Sequence, residues 1–114
     1  MDIQKMFFSL KGRLNRKPYF FGNIVISLIS TLFSFIMDKS DSMLIALLGM
    51  VIGIAVIAGS ISLLVKRLHD LDKGGLWALI MLIPIVNFFF GLYLLFAKGT
   101  DGYNQYGEDP LKNF

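Results

Sequence analysis

The sequence predicts an all-α integral membrane protein, with three transmembrane helices preceded by a short interfacial amphipathic helix. Three apolar runs, 19–37, 43–65 and 76–97, are 19, 23 and 22 residues long and contain no Asp, Glu, Lys, Arg or His. A helix of about 20 apolar residues spans the ~30 Å hydrocarbon core of a bilayer. With 55% hydrophobic residues among 114, the chain carries more apolar surface than a small soluble domain buries. We therefore expect one membrane domain over 1–114, with the lipid bilayer as its main partner.

The segment 1–18 is basic and precedes the first run. Four of its apolar side chains lie at i, i+3, i+4 and i+7, on one face of a helix: Ile3, Met6, Phe7 and Leu10. Lys5 and Lys11 lie off that face, and Gly12 ends the pattern. Such a helix lies in the membrane interface. We interpret the helix predicted here as an anchor for the first span. The alternative is that it senses a lipid or a partner protein. Asn15 is expected to cap the next helix, with Pro18 in the first turn.

The first span, 19–37, is predicted to be an uncleaved signal anchor, because it exceeds the ~7–15 apolar residues of a signal peptide. It ends in Phe35-Ile36-Met37-Asp38, without the small residues of a cleavage site. Small polar residues form a stripe along one of its faces, which predicts contact with another helix. The stripe consists of Asn23, Ser27, Ser30, Thr31 and Ser34.

The second span, 43–65, contains Gly49 and Gly53 in a GxxxG pair, which lets helix backbones approach closely. A second set of small residues lies on roughly the opposite face. This set is Ala55, Ala58, Gly59 and Ser62. A helix with two small faces is predicted to pack on both sides, either between the other spans or against another copy of the chain.

The third span, 76–97, is irregular because Pro84 and Asn87 lie near its middle. Proline removes a backbone hydrogen bond and kinks a helix. Asn87 needs a polar partner at this depth. With Asn23 it forms the candidate intramembrane polar contact, either between helices or with a solute or ion. A re-entrant hairpin broken at 84–87 is the alternative to a full crossing, since each half would reach only ~12–15 Å.

The basic residues predict the orientation. Eight of the eleven Lys and Arg residues lie in the amino-terminal segment and in the loop after the second span. Short loops rich in Lys and Arg stay in the cytoplasm. A three-span chain would thus have a cytoplasmic amino terminus and loop 66–75, with 38–42 and the turn-rich polar tail 98–114 outside. A re-entrant third segment would return the tail to the cytoplasm.

Three polar segments outside the spans are strongly patterned. They read LKGRLNRKPY from Leu10, KRLHD from Lys66 followed by GGLW from Gly74, and GTDGYNQYGEDP from Gly99. Together with the LIP sequence of the last span, this ordered set resembles a family of small bacterial inner-membrane proteins filed as domain of unknown function 805. The likeness covers nearly the whole chain, with Glu108 where the family often has proline. It implies a multi-pass protein of the bacterial inner membrane and brings no activity.

The charged motifs are predicted to form a polar network at the inner interface. Its candidate members are Arg13, Arg16, Arg67, His69 and Asp70. A single His without Cys is a poor metal site, so we expect no metal, no cofactor and no enzymatic centre. The basic residues flank membrane spans, so nucleic-acid binding is not expected. The predicted role is a membrane scaffold or accessory subunit that packs with itself, as a homo-oligomer, or with a larger membrane protein. The alternative is a small oligomeric transporter or channel for an ion or small solute.

Overall fold

The computed structural model describes residues 7–107. It contains α1 (Arg16–Asp38), α2 (Met43–Asp70), a 3₁₀ helix (Gly75–Leu82) and α3 (Val86–Phe96). Phe7 and Phe8 are helical. Residues 1–6 of the predicted interfacial helix and residues 108–114 of the tail lie outside the described residues.

α1 and α2 are antiparallel neighbours and contain the first two predicted spans. The amide of Leu14, just before α1, donates to the carbonyl of Lys66 near the end of α2 at 3.0 Å. Only 6% of the most apolar stretch of each helix is buried within the protein. A core helix of a soluble protein is mostly buried, so these long apolar surfaces fit a lipid environment.

The third apolar run is broken near Pro84, where the sequence predicted an irregular helix. It folds as a 3₁₀ helix of 8 residues and an α-helix of 11 residues, each about 16 Å long, and neither spans the ~30 Å core. The break lies at residues 83–85. Pro84 drives Ile83 into the β region, at φ −90° and ψ 116°. The amide of Val86 then bonds to the carbonyl of Pro84 at 2.8 Å.

Ile85 closes this break in an unusual backbone conformation, with φ 71° and ψ −54°. These angles are those of a strained γ-turn, rare for a β-branched residue. The amide of Asn87 returns to the carbonyl of Ile83 at 2.9 Å. The two helical pieces therefore form a helical hairpin, residues 75–96, that turns at Pro84.

The helical hairpin begins and ends at the same end of the molecule. It follows α2 in the chain, and the carbonyls of Leu94 and Ala97 accept hydrogen bonds from Arg67 in the last turn of α2. The described residues therefore do not confirm three full crossings with a tail on the far side. The return of the chain agrees with the re-entrant alternative, and its physical reason is the break at Pro84.

The buried core lies at this same end, which we call the motif end (residues 12–16, 66–70 and 97–107). Its buried apolar residues are Leu14, Tyr19, Leu63, Leu68 and Leu94. The buried polar residues beside them are Arg13, Asn15, Ser62, Lys66, Arg67 and Asp70. A core with so many polar members depends on paired groups, because unpaired burial of a charge is costly.

Candidate functional site: a buried Arg–Asp–Arg cluster

Asp70 lies between two arginines at the end of α2. Its Oδ1 accepts from Nε of Arg13 at 3.1 Å and lies 3.0 Å from Nη2 of the same residue. Its Oδ2 accepts from Nη1 of Arg67 at 2.7 Å. The three side chains are at most 3% exposed. Both carboxylate oxygens are therefore engaged by charge-assisted hydrogen bonds, which are strong away from water.

Arg13 also binds the described part of the tail through three backbone carbonyls. Nη1 donates to Gly102 at 2.5 Å and to Gly107 at 3.2 Å. Nη2 donates to the carbonyl of Thr100. A planar guanidinium with five N–H donors is suited to such a multiple contact. Arg13 thus joins the segment before α1 to both α2 and the tail.

Arg67 performs the corresponding role for the end of the helical hairpin. Its Nε donates to the carbonyl of Leu94 at 2.6 Å, and Nη2 donates to Ala97 at 2.5 Å. Nη1 also approaches the carbonyl of Leu14 at 3.4 Å. Burial lowers the pKa of the Arg67 guanidinium, which lies beyond the predicted span, and the Asp70 carboxylate opposes this change. The carbonyls of Leu94 and Ala97, in the last turn of α3 and at its C-cap, are satisfied by this cation.

The tail approaches α2 so closely that one position requires glycine. The amide of Thr100 donates to the carbonyl of Asp70 at 2.7 Å. A Cβ atom added at Gly99 would collide with the carboxylate of Asp70. The Gly-Thr pair of the tail motif is therefore explained by a backbone contact, and not by turn formation alone.

His69 holds the outer part of the tail. Its Nδ1 lies 2.9 Å from the carbonyl of Gly12, and since a carbonyl only accepts, Nδ1 carries the hydrogen. The imidazole stacks on Tyr106 with ring centroids 3.9 Å apart and planes 4° apart. The side chain of Asn104 donates to the carbonyl of His69 at 2.8 Å, and its backbone pairs with Gly107. These contacts give the segment 102–107 an ordered turn.

The predicted polar network is thus distributed over several contacts. Arg13 and Arg67 both bond to Asp70, and His69, next to Asp70 in the chain, bonds to the carbonyl of Gly12. Arg16 is exposed and donates to the carbonyl of Phe96 at 3.1 Å. The main partners of Arg13 are backbone carbonyls of the tail, which the sequence did not predict. The glycines of the tail motif were the feature that indicated close packing of this segment.

The two asparagines of the predicted intramembrane contact bond to backbone carbonyls and not to each other. Asn23 donates to Tyr19 within α1 at 2.8 Å, and Asn87 donates to Met81 across the hairpin break at 3.2 Å. Both line a cavity of about 360 Å³ with Gly91. Asn87 therefore satisfies a carbonyl that the broken helix leaves free.

The two glycines of the GxxxG pair have different surroundings. Gly49 packs on α1, since an added Cβ would meet the side chains of Met37 and Phe33. Gly53 has nothing within 4 Å of such a Cβ. Only one of the pair therefore serves packing between α1 and α2.

Residues 7–107 contain no group of three or more His, Cys, Asp or Glu side chains that could hold a metal ion. The cluster consists of ion pairs whose hydrogen bonds are satisfied by backbone carbonyls. Its arrangement binds three chain segments together.

Comparison with known proteins places these motifs in a family. A family model described as protein of unknown function (DUF805) matches residues 7–108. The chain belongs to this family. Its match includes the first two motif segments and the third as far as Glu108, which confirms the resemblance seen in the sequence.

Two inner membrane proteins of Escherichia coli K12 are similar to this member of the family. The chain is 26% identical to YhaI over 110 residues, which cover 96% of this chain and 92% of YhaI. It is 29% identical to YhaH over 117 residues, which cover 96% of this chain and 93% of YhaH. No solved structure matches the chain. Together with the two apolar helices, these relatives identify a bacterial inner membrane protein.

Proposed function

We propose that this protein is a non-enzymatic membrane scaffold or accessory subunit, which acts by helix packing with another copy of itself or with a larger membrane protein. The buried ion pairs of the motif end bind segments of the same chain, and large exposed surfaces for a helical partner lie on the apolar parts of α1 and α2. Membrane helices associate through small and hydroxyl side chains that permit close approach. A contact surface of this kind requires such residues on the faces of α1 and α2 that point away from the rest of the chain.

The observation that supports this role is the exposure of the small and polar residues. Ser27, Thr31 and Ser34 of α1 are exposed, and Gly53 of α2 has open space around it. Within the described residues, these groups are not used in packing α1 against α2. In a bilayer they would meet either lipid, which gives them little stabilisation, or another helix.

The test is Gly53→Leu, with Gly91→Leu as the matched control, because both glycines have open space around them. A leucine at Gly53 would hold a partner helix away. We expect Gly53→Leu to reduce cross-linked or size-resolved oligomer, or recovery of a native partner in mild detergent, without lowering the thermal stability of the monomer. Gly91→Leu should leave association unchanged. Equal association of wild type and Gly53→Leu would reject this face as the contact surface.

The second candidate is a small oligomeric transporter or channel. The cavity shared by Asn23 and Asn87 at a broken helix favours it, since broken membrane helices commonly bind solutes or ions. Reconstituted liposomes would test it with a panel of ions and small solutes. Flux that Asn87→Leu abolishes, with oligomer and thermal stability unchanged, would favour transport over scaffolding.

We also propose a cytoplasmic location for the motif end. Of the nine Lys and Arg residues in 7–107, only Lys39 lies at the opposite end. This asymmetry is larger than that of the three-span arrangement, because Lys98 joins the basic side. Reporters fused after residue 114 and inserted at 73 should both give cytoplasmic signals, and one inserted at 40 should give a periplasmic signal. A periplasmic signal from the terminal fusion would contradict the return of the tail.

A further inference from the structure

A pocket of about 150 Å³ opens beside the cluster, at the start of α1. Three cations line it: Arg16, Lys17 and Lys98. The other lining residues are Asn15, Asp70, Gly99 and Thr100. The pocket thus joins the segment before α1 to the described tail, and it lies where a helix leaves the hydrocarbon.

The charge of this pocket is positive. Asp70 is the acidic residue in its lining, and both of its carboxylate oxygens are already engaged by Arg13 and Arg67. Lys98 pairs with Asp101 at 3.2 Å, but the two side chains are 65% and 75% exposed. Such an exposed pair contributes little and readily exchanges partners. Arg16 uses one of its five N–H donors on the carbonyl of Phe96, so its charge and the ammonium of Lys98 remain available to an anion.

Asn15, which also lines the pocket, has a buried oxygen atom without a hydrogen-bond partner within residues 7–107. It occupies the cap position of α1, but its side chain forms no capping hydrogen bond. The residue is only 7% exposed, and its Oδ1 has no hydrogen-bond partner among the described residues. A buried polar atom without a partner is rare and requires an explanation. Asn15 therefore occupies the predicted cap position, but its side chain does not cap the helix.

The start of α1 adds backbone donors to the same place. The first N–H groups of a helix have no intrahelical partners, and Asn15 does not cap them. Helix amino termini attract anions through these groups and through the helix dipole. Arg16 and Lys17, which begin α1, both line the pocket.

We propose that this pocket binds a phosphate compound that carries a hydroxyl group: Arg16, Lys17 and Lys98 contact the phosphate as cations, while the hydroxyl donates to the unpartnered Oδ1 of Asn15. An acidic lipid headgroup and a soluble phosphate compound share this chemistry. The position of the pocket at the membrane boundary favours the headgroup, since clustered cations beside a span attract anionic lipids. The site is separate from the scaffold surfaces of α1 and α2.

The test measures binding of phosphatidylglycerol to the purified full chain by native mass spectrometry in a neutral detergent. Lys17→Gln/Lys98→Gln removes two cations, and Lys11→Gln is the matched control, because Lys11 is an exposed lysine near the motif end that does not line the pocket. Each lysine should contribute about fivefold to affinity, so the double variant should bind roughly 25-fold more weakly. Lys11→Gln should change the affinity less than about twofold.

A second variant, Asn15→Asp, separates ligand binding from folding. Asp is as good a helix cap as Asn and favours the positive end of the helix dipole. The variant should keep its melting temperature and still lose binding, because a carboxylate repels phosphate. Equal weakening by Lys11→Gln, or wild-type binding by both pocket variants, would overturn the proposal.

Inorganic phosphate and glycerol 3-phosphate identify the source of the phosphate group. Lipid binding that these compounds displace only weakly supports the headgroup. Pocket-dependent binding of inorganic phosphate with no binding of phosphatidylglycerol supports the phosphate site and assigns it to a soluble ligand. Absence of pocket-dependent binding for all three probes would reject the site.

Discussion

The motif end of the molecule contains the buried core and its ion pairs, whereas the opposite half of α1 and α2 is exposed over most of its surface. Leu63 and Leu68 are fully buried near the motif end, while Leu32 and Leu44 at the other end are 63% and 65% exposed. The first region is organised by ion pairs and carbonyl contacts within the chain. The second depends on what surrounds it, either lipid or another helix.

This difference shows where the tertiary fold of so small a membrane protein is specified. Apolar side chains gain little by packing on one another in lipid, because lipid tails are equally apolar. Directional contacts such as those of Asp70 distinguish one arrangement of segments from another. We therefore expect mutations at the motif end to affect folding, and mutations at the opposite end to affect mainly association.

The largest effect is expected from Asp70→Asn. It would leave Arg13 and Arg67 buried without their counter-ion, and breaking a buried pair in this way costs about 3–5 kcal/mol. The measurement is the free energy of unfolding in detergent. Asp101→Asn, which removes an exposed ion pair with Lys98, should change stability by less than about 1 kcal/mol. Similar losses of unfolding free energy in both variants would show that water reaches the Arg13–Asp70–Arg67 cluster.

The next effect is expected from Gly99→Ala, since the new methyl group meets the fixed carboxylate of Asp70. Such overpacking should cost about 2–3 kcal/mol. Gly91→Ala in α3 is the control, because nothing lies within 4 Å of its added Cβ. It should be neutral or stabilising by up to about 1 kcal/mol, through helix propensity. Thermal shifts of opposite sign would support the comparison, and equal losses would contradict it.

A smaller effect separates two glycines of α2. Gly59→Leu should cost about 1–2 kcal/mol, because Ile26 and Phe7 lie 3.4 and 3.6 Å from an added Cβ. Gly53→Leu enters open space and should not lower monomer stability, with a gain of up to about 1 kcal/mol from helix propensity. Denaturation at a protein concentration where the chain is monomeric would measure both. A large loss at Gly53 would mean that its face is packed within one chain.

The smallest effect is expected at the far end, from Ser42→Ala. The hydroxyl of Ser42 caps α2 by accepting from the amide of Ile45 at 3.5 Å. Its removal should cost about 0.5–1 kcal/mol, typical of an exposed cap. Ser40→Ala in the same loop serves as the comparison, since its hydroxyl accepts from the amide of Ser42 and lies outside the helix cap. A loss above about 2 kcal/mol at Ser42 would show that the far end contributes more to folding than its exposure indicates.

The sequence by itself determined the membrane class, the two long helices and the family. These properties depend on local information. The mean hydropathy of an 18-residue stretch within 16–38 and within 43–70 indicates the membrane class and the two helices, and the ordered motifs indicate the family. An apolar run without a helix breaker becomes a helix in lipid, because its backbone groups must bond to one another. The break near Pro84 was also visible, since proline acts within its own turn.

Only the tertiary structure decided that the third apolar run turns back and that the tail lies on the arginines. Arg13 contacts Asp70 and Gly102 across separations of 57 and 89 residues, and no local pattern encodes such distances. A charge-rich motif shows that partners are needed, but many carboxylates and carbonyls satisfy an arginine equally well. Steric fit selects the partners that the arginines bind, and the contact of Gly99 with Asp70 is the clearest case. This fit arises only when the segments are packed together.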